Sequence, residues 1–587
     1  MTPARTDVAA GSERVAVAFG ARHRDLALLL AVALPLLFAA LGVSFLDPDE
    51  GLYADIPQTM VATGDWVLPR FNGLPYVEKP PLTYWATAAA MALFGDGEAA
   101  VRLSAAVAAL GTVLLTWRIG RRLYGPAAGL YAGFALATTA GYALYVRKAS
   151  TDMIFVLCLT LTLYGFLRDV ERPDRGTTRF LLVYLGAALS LLTKGLIGMV
   201  FPLAVIGIAL AWRRAPALRE LNVGRGLALF ALLALPWHLA LAWRDPALMW
   251  FYVVDNQILR FLGARGFVED DVPVGAVALL LLSFVWFFPW SVFAFARPGV
   301  EGGGAMRRWR PVMVVWVLVV LAFFLASRSR LEYYALPAFP ALAVLVGAAW
   351  TSGRDIGRWL VPGVVGCGIV GAALVWVGAR LTPEQALYGL AELNVYYRIL
   401  REQQLGFPFA SPAPFGALLQ GLGVALVVGW AVAAACWWTR RRRAAFAVLA
   451  AEGAVILVLI VQLLHLVEPH HSAEAVAEAI NARAGAGDVV AHEGSLEYSA
   501  ALPFYTGRRV VVVDGIQGDL ETASRRPEAR GWFVEGAELG GLWDRDGRVF
   551  LVTQRPRERS HVAGLPAERV HLIGRYGSRW LYSNRGN

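Results

Sequence analysis

Only three of the chain's 54 lysines and arginines are lysines: Lys79, Lys148 and Lys194. Each lies at or between the ends of apolar segments long enough to cross a bilayer. Lysine offers a compact charge on a flexible stem and arginine a rigid planar fork, so the two are not interchangeable at a crowded site. Acidic residues accompany all three. Asp47-Pro48-Asp49-Glu50 closes the first apolar segment, Glu78 precedes Lys79, and Arg147-Lys148-Ala149-Ser150-Thr151-Asp152 joins two later segments. Lys194 occupies the tight turn Thr193-Lys194-Gly195. Ammonium groups and carboxylates gathered at one membrane face suit a phosphate leaving group held by cations, with a carboxylate near the incoming nucleophile. The plainer alternative is a set of interface lysines whose stems lie in the bilayer and whose heads pair with nearby acids.

The elements that position these groups are membrane helices. The 587-residue chain is 57% apolar. Thirteen spans are expected, at about 25–46, 99–117, 126–146, 152–168, 178–193, 195–212, 226–243, 273–296, 311–326, 333–350, 358–379, 414–438 and 444–467. The first follows Arg14, Arg22 and Arg24 and reads as an uncleaved anchor. Arginines cluster at every second turn: Arg118, Arg121 and Arg122; Arg168, Arg172, Arg175 and Arg179; Arg213, Arg214, Arg219 and Arg225; Arg307, Arg308 and Arg310; and Arg440–Arg443. The positive-inside rule makes those turns cytoplasmic. The N-terminal segment 1–24 is then cytoplasmic too, and an odd number of spans leaves residues 468–587 outside. The net charge of +10 resides mainly in these turns, which argues against a nucleic-acid partner. Cys158, Cys367 and Cys436 fall within spans, with neither disulfide nor metal-ligand spacing.

Outside the spans, two segments are patterned. Residues 47–98 are too long for a connector. Leu52, Tyr53, Ile56 and Met60 have the spacing of an interfacial amphipathic helix, interrupted by Pro57. Pro80 and Pro81 hold Lys79 extended, and 82–94 is expected to form an interfacial or re-entrant helix. The tail, 472–587, reads as a small α/β domain. A helix from Ser472 to about Arg483 precedes strands at Asp488–Ala491, Arg509–Asp514, Arg548–Thr553, Val570–Ile573 and Trp580–Ser583. Glu468, His470 and His471 at the membrane exit are either a metal-ligand cluster or a solvated turn. No cofactor is required by these residues, and a divalent metal is left open.

The stretch Asp49–Met60, with Gly64-Asp65-Trp66 and Tyr76–Leu82, resembles the bacterial aminoarabinose transferase-like family, relatives of protein O-mannosyltransferases. The likeness extends to Ser150–Met153, Thr193–Gly195, Asn256–Gly263, Tyr333–Pro340 and Leu502–Arg508. It implies a GT-C type polytopic α-helical membrane protein of about 13 transmembrane helices (25–467), with a catalytic first outer loop and a small C-terminal extracytoplasmic α/β domain (468–587). The implied location is the bacterial cytoplasmic membrane. The implied activity is transfer of a sugar from a polyprenyl-phosphate donor to a lipid A-like or other envelope acceptor. A protein or wall-glycan O-glycosyltransferase with the same donor class is the alternative, and a lipid-linked sugar transporter is the rival from another class. By position, Asp49 matches the family's principal catalytic acid, Asp152 its second carboxylate, and Glu78-Lys79 its Glu-Lys-Pro-Pro element, and Glu50 beside Asp49 is a further catalytic candidate. Lys79 and Lys194 would hold the lipid phosphate. Tyr53, Tyr333, Tyr334, Arg147 and Lys148 would complete the substrate site. Leu52 stands where the family usually carries Arg, and Gln257 where it often carries His.

Overall fold

An apolar run has no water to satisfy its backbone N–H and C=O groups, so each such segment closes its own hydrogen bonds as helix. The computed structural model describes residues 22–586 apart from 171–172, 214–217, 266–273, 298–309, 354, 394, 403 and 517–519. Most of the 1–24 segment, with Arg14, Arg172, Arg214, Arg307 and Arg308, lies outside the described residues. Every expected span is helical for most of its length. Among the described residues, six helices are long and apolar enough to cross a membrane: Glu98–Tyr124, Arg175–Lys194, Val223–Arg244, Ile356–Gly378, Ala413–Trp438 and Arg442–His471. Shorter apolar helices include Pro126–Ala137, Ile197–Trp212, Ala276–Trp286 and Pro311–Ala326. Leu232, Leu239, Trp243, Val277, Leu281 and Ile369 point outward and are exposed, an apolar belt far larger than water-soluble chains present.

Two expected spans are broken, for local reasons. Segment 126–146 divides into Pro126–Ala137 and Ala140–Tyr145. At the break the Thr138 and Thr139 hydroxyls donate back to the carbonyls of Phe134 and Ala135, 2.8 and 2.7 Å away, in competition with the helix ladder. Segment 273–296 stops at Trp286 before Pro289, and the Phe288 carbonyl accepts the Ala140 N–H at 3.0 Å. Between 379 and 414, where no span is expected, helices Pro383–Leu393 and Val395–Glu402 bury Leu387, Leu390, Tyr397 and Leu400 against Phe415 and Leu463.

Loop 47–98 contains a two-strand ribbon, β1 (Arg70–Phe71) with β2 (Leu74–Pro75). The tail holds β3 (Val489–Glu493), β4 (Val510–Val513), β5 (Phe533–Val534), β6 (Val549–Thr553), β7 (His571–Tyr576) and β8 (Arg579–Ser583). Their order is β5-β4-β3-β6-β8-β7, parallel through β6 and antiparallel beyond it. β3, β4 and β6 are almost wholly buried, which explains their mainly apolar, β-branched sequences, with His492, Glu493 and Thr553 at the ends of β3 and β6. The two-residue edge strand β5 carried too little pattern to be anticipated.

The helix Glu50–Thr63 does not lie on the bilayer as its pattern suggested. Leu52, Ile56 and Met60 are buried in one cluster with Phe45, Val476, Leu502 and Phe504 of the tail. Their helical spacing marks a face for protein, and periodicity alone cannot distinguish that from a face for lipid. Gly51 permits the contact: a Cβ there would meet the backbone N of Ala501 at 2.0 Å. Asn72 adds a pair of hydrogen bonds to Val510 in β4, at 2.8 and 2.7 Å.

His492 in β3 is buried, its Nδ1 donating to the Gly494 carbonyl at 3.2 Å. Burial, aided by Arg579 and Arg555, lowers its pKa to about 4. A depressed histidine leaves stability intact above its unfolded pKa of about 6.5, and unfolding takes up a proton below it. The tail should therefore lose up to about 3 kcal/mol between pH 6.5 and 4. Thermal midpoints of wild type and His492→Gln across that window check this: the wild type should fall more steeply, and equal slopes would refute it.

Candidate functional site

Asp49 immediately precedes the helix Glu50–Thr63, and its side chain makes no capping bond. Its carboxylate instead meets the Lys148 ammonium at 2.5 Å. Glu50 fixes both partners. It takes a two-pronged bond from Arg102, Nε to Oε1 and Nη2 to Oε2 at 2.8 Å each. It also accepts the backbone N–H of Ala149, beside Lys148, at 2.8 Å, and that of Leu46 at 3.0 Å. Arg102 donates further to the carbonyls of Leu41, Val43 and Ser44. Glu50 is thus a positioning residue beneath the site, with its oxygens already engaged. Arg147 is likewise turned away, donating to the carbonyls of Ala143 and Leu36 at 2.5 and 2.7 Å.

Asp152 opens the helix Asp152–Asp169 and Lys194 closes the helix Leu181–Lys194. Each charge sits at the helix end whose dipole favours it, and the two meet at 2.5 Å. The Lys194 ammonium lies 5.7–5.9 Å from the ring centroids of Phe155, Tyr333 and Tyr334, an aromatic surround that favours a cation. Gly195 lets this turn close on the 251–259 helix: a Cβ there would stand 2.8 Å from both Tyr252 Oη and Gln257 Nε2. Gln257 is therefore a packing neighbour of the Lys194 turn.

Glu78 pairs with Lys79 and, at 2.9 Å, with Arg260; its carbonyl accepts from the Asn256 amide. Arg260 follows a π-helical stretch, Phe251–Leu259, whose wider turn is a frequent feature of functional sites. Arg265 pairs with Asp255 at 2.8 Å. Burial opposes ionisation of Glu78, yet Lys79, Arg260 and Arg265 outweigh it and hold the carboxyl well below the usual range. For Lys148 burial disfavours the charge, but Asp49, Glu332 and Glu50 prevail and keep the ammonium above the ordinary lysine value. Tyr53 stacks on Tyr84 with ring centroids 5.8 Å apart. Burial first, then Tyr84 and the acids Glu78, Asp49 and Asp152, raise its hydroxyl pKa well above normal, so it serves as a donor.

These groups share a cavity of about 690 Å³. Asp49, Tyr53, Glu78, Lys79, Lys148, Asp152, Lys194, Tyr333 and Tyr334 all line it, and Glu50 and Arg147 do not. Sequence reading missed Arg260, Arg265 and Glu332 in its wall. The two arginines were camouflaged among so many others, whereas the three lysines stood out. Residues Tyr498, Gln554 and Arg579 extend the wall into the tail.

The Glu468–His470–His471 cluster does not converge. Glu468 bonds Ser44 and His465, while the rings of His470 and His471 pack against Phe409 and Tyr397. Among the described residues no three His, Cys, Asp or Glu side chains come together as a metal-ligand set.

The chain is similar to several known proteins. Residues 78–252 match the family model for dolichyl-phosphate-mannose-protein mannosyltransferases. An undecaprenyl phosphate-alpha-4-amino-4-deoxy-L-arabinose arabinosyl transferase of Pseudomonas aeruginosa is 30% identical over 539 residues, covering 89% of this chain and 91% of its own length. A second, from another strain of that species, is 31% identical over 545 residues, with the same coverage. The crystal structure of ArnT from Cupriavidus metallidurans bound to undecaprenyl phosphate superposes with a TM-score of 0.77 at 24% identity, over 96% of this chain and 98% of that one, and shares its fold. With nearly nine-tenths of its length aligned at this identity, the chain belongs to the undecaprenyl phosphate-aminoarabinose arabinosyl transferase family.

Proposed function

We propose that this protein transfers a sugar, an aminopentose as in its relatives' names, from undecaprenyl phosphate to an envelope acceptor such as lipid A. The observation that carries the reading is one cavity holding Asp49 together with the chain's only three lysines. In the reaction an acceptor oxygen attacks the sugar's anomeric carbon, and the bond from that carbon to the phosphate oxygen breaks. Asp49 takes the proton of an acceptor hydroxyl, or orients an acceptor already ionised. Lys79 and Lys194, with Arg260 and Arg265, balance the charge left on undecaprenyl phosphate. Asp152 holds Lys194 in place, and Lys148 keeps Asp49 aimed.

The reading includes a thirteen-span topology at the cytoplasmic membrane. Residues 1–24 lie inside, 25–467 form the catalytic membrane unit, and 468–587 form an extracytoplasmic unit. The alternation of arginine-rich turns supports this orientation, and the tail's share of the cavity wall supports a part in acceptor recognition.

Undecaprenyl phosphate, the product, should compete with donor. Lys79→Met or Lys194→Met should weaken that inhibition by about 10- to 100-fold, the worth of one charge-assisted bond. Inhibition unchanged by either substitution would remove these lysines from the phosphate site.

A further inference from the structure

We propose that Glu332, supported by Tyr145, selects the donor by recognising a positively charged substituent on its sugar. This rests on the transferase reading above. Around the cavity Asp47 is matched to Arg579, Asp49 to Lys148, Asp152 to Lys194, Glu78 to Lys79 and Arg260, and Glu392 to Arg401. Glu332 differs. It lines the same cavity, yet its hydrogen-bond donor is a neutral phenol, Tyr145 Oη at 2.8 Å. Among the described residues no cation stands within ion-pair distance of it. Its neighbour Arg330 is turned to the carbonyls of Val274, Ser327 and Leu325.

The surroundings suit an ammonium group. The Tyr145 and Tyr333 rings lie 4.9 Å apart, and Trp286 packs edge-on to Tyr145 at 5.9 Å. A carboxylate beside aromatic faces offers an ammonium both charge-assisted bonds and cation–π attraction. A donor with phosphate at one end and an ammonium on the sugar would then find cations for the first and Glu332 for the second. The competing role for Glu332 is to help Asp49 balance Lys148, whose charge it feels. That role would be blind to the sugar's substituent.

The test compares undecaprenyl-phosphate aminopentose with its N-formyl counterpart, which is neutral at the same position. Binding and transfer are both measured for wild type, Glu332→Gln and Glu332→Asp. In Glu332→Gln the preference for the ammonium donor should fall by about 10- to 100-fold, mainly in KM and binding. Glu332→Asp should keep much of that preference. Equal losses with both donors, or no change with either, would overturn the assignment. Were wild type to bind both donors and transfer neither, the transferase reading would fail, while the binding ratios would still judge Glu332.

Discussion

Asp49→Asn should lower the rate of sugar transfer by about 10²- to 10⁴-fold, the usual contribution of a positioned base. Donor binding should change little, because the groups proposed to hold phosphate have their own partners. Asp152 holds Lys194, and Glu78 holds Lys79 and Arg260. The change is nearly isosteric, and the amide can still accept from Lys148, so the fold survives. Lys148→Met should cost less by itself, since it removes the partner of the base and leaves the base in place. The double substitution should be little worse than Asp49→Asn alone, as expected of groups that act as a unit. Single-turnover transfer together with donor binding checks all three variants. An Asp49→Asn enzyme within tenfold of wild type would exclude a base role.

Arg579→Met should cost about 3–5 kcal/mol and loosen the tail from the membrane helices. Arg579 is buried and ties together three other parts of the chain: Asp47 Oδ2 at 2.7 Å, Ser499 Oγ and the Tyr498 carbonyl at 2.8 Å each, and the carbonyls of Ser472 and His471 at 2.8 and 3.1 Å. The Asp47 carboxylate also accepts the Ala501 N–H at 3.0 Å. Burial pushes the Asp47 carboxyl up to about 7 while Arg579 pulls it back. With the guanidinium gone, Asp47 would take up a proton rather than remain a bare buried charge. The cost then comes mainly from the carbonyls left unsatisfied, each about 1–3 kcal/mol. The thermal midpoint and the rate of proteolysis between residues 468 and 500 report the effect. A midpoint within a degree of wild type would show that the apolar contact around Gly51 and Ala501 holds the tail without this pair.

The membrane helices were legible because long apolar runs have one backbone solution in lipid. Their breaks were not, since the Thr138–Thr139 and Pro289 interruptions depend on which neighbour receives the freed backbone groups. In the site, the lysines could be found because their type was rare. Glu332 and Arg260 could not, because neither type nor spacing distinguished them and only folding brings 260 and 332 to the same wall as 49 and 79. Glu50 and Arg147 carried the opposite error. Adjacency to Asp49 and Lys148 suggested chemistry, but alternate side chains at the loop ends point inward and serve as anchors. The helix 50–63 shows a third limit, for its apolar face fits protein or lipid equally until the tail is placed against it.

The decisive measurement is sugar transfer by the purified protein in liposomes, supplied with undecaprenyl-phosphate aminopentose and lipid A. We expect lipid A heavier by one sugar residue, matched mole for mole by undecaprenyl phosphate, and both products formed about 10²- to 10⁴-fold more slowly with Asp49→Asn. Donor carried across the bilayer with no sugar on any acceptor, equally by both proteins, would contradict a transferase and make the protein a carrier of lipid-linked sugars.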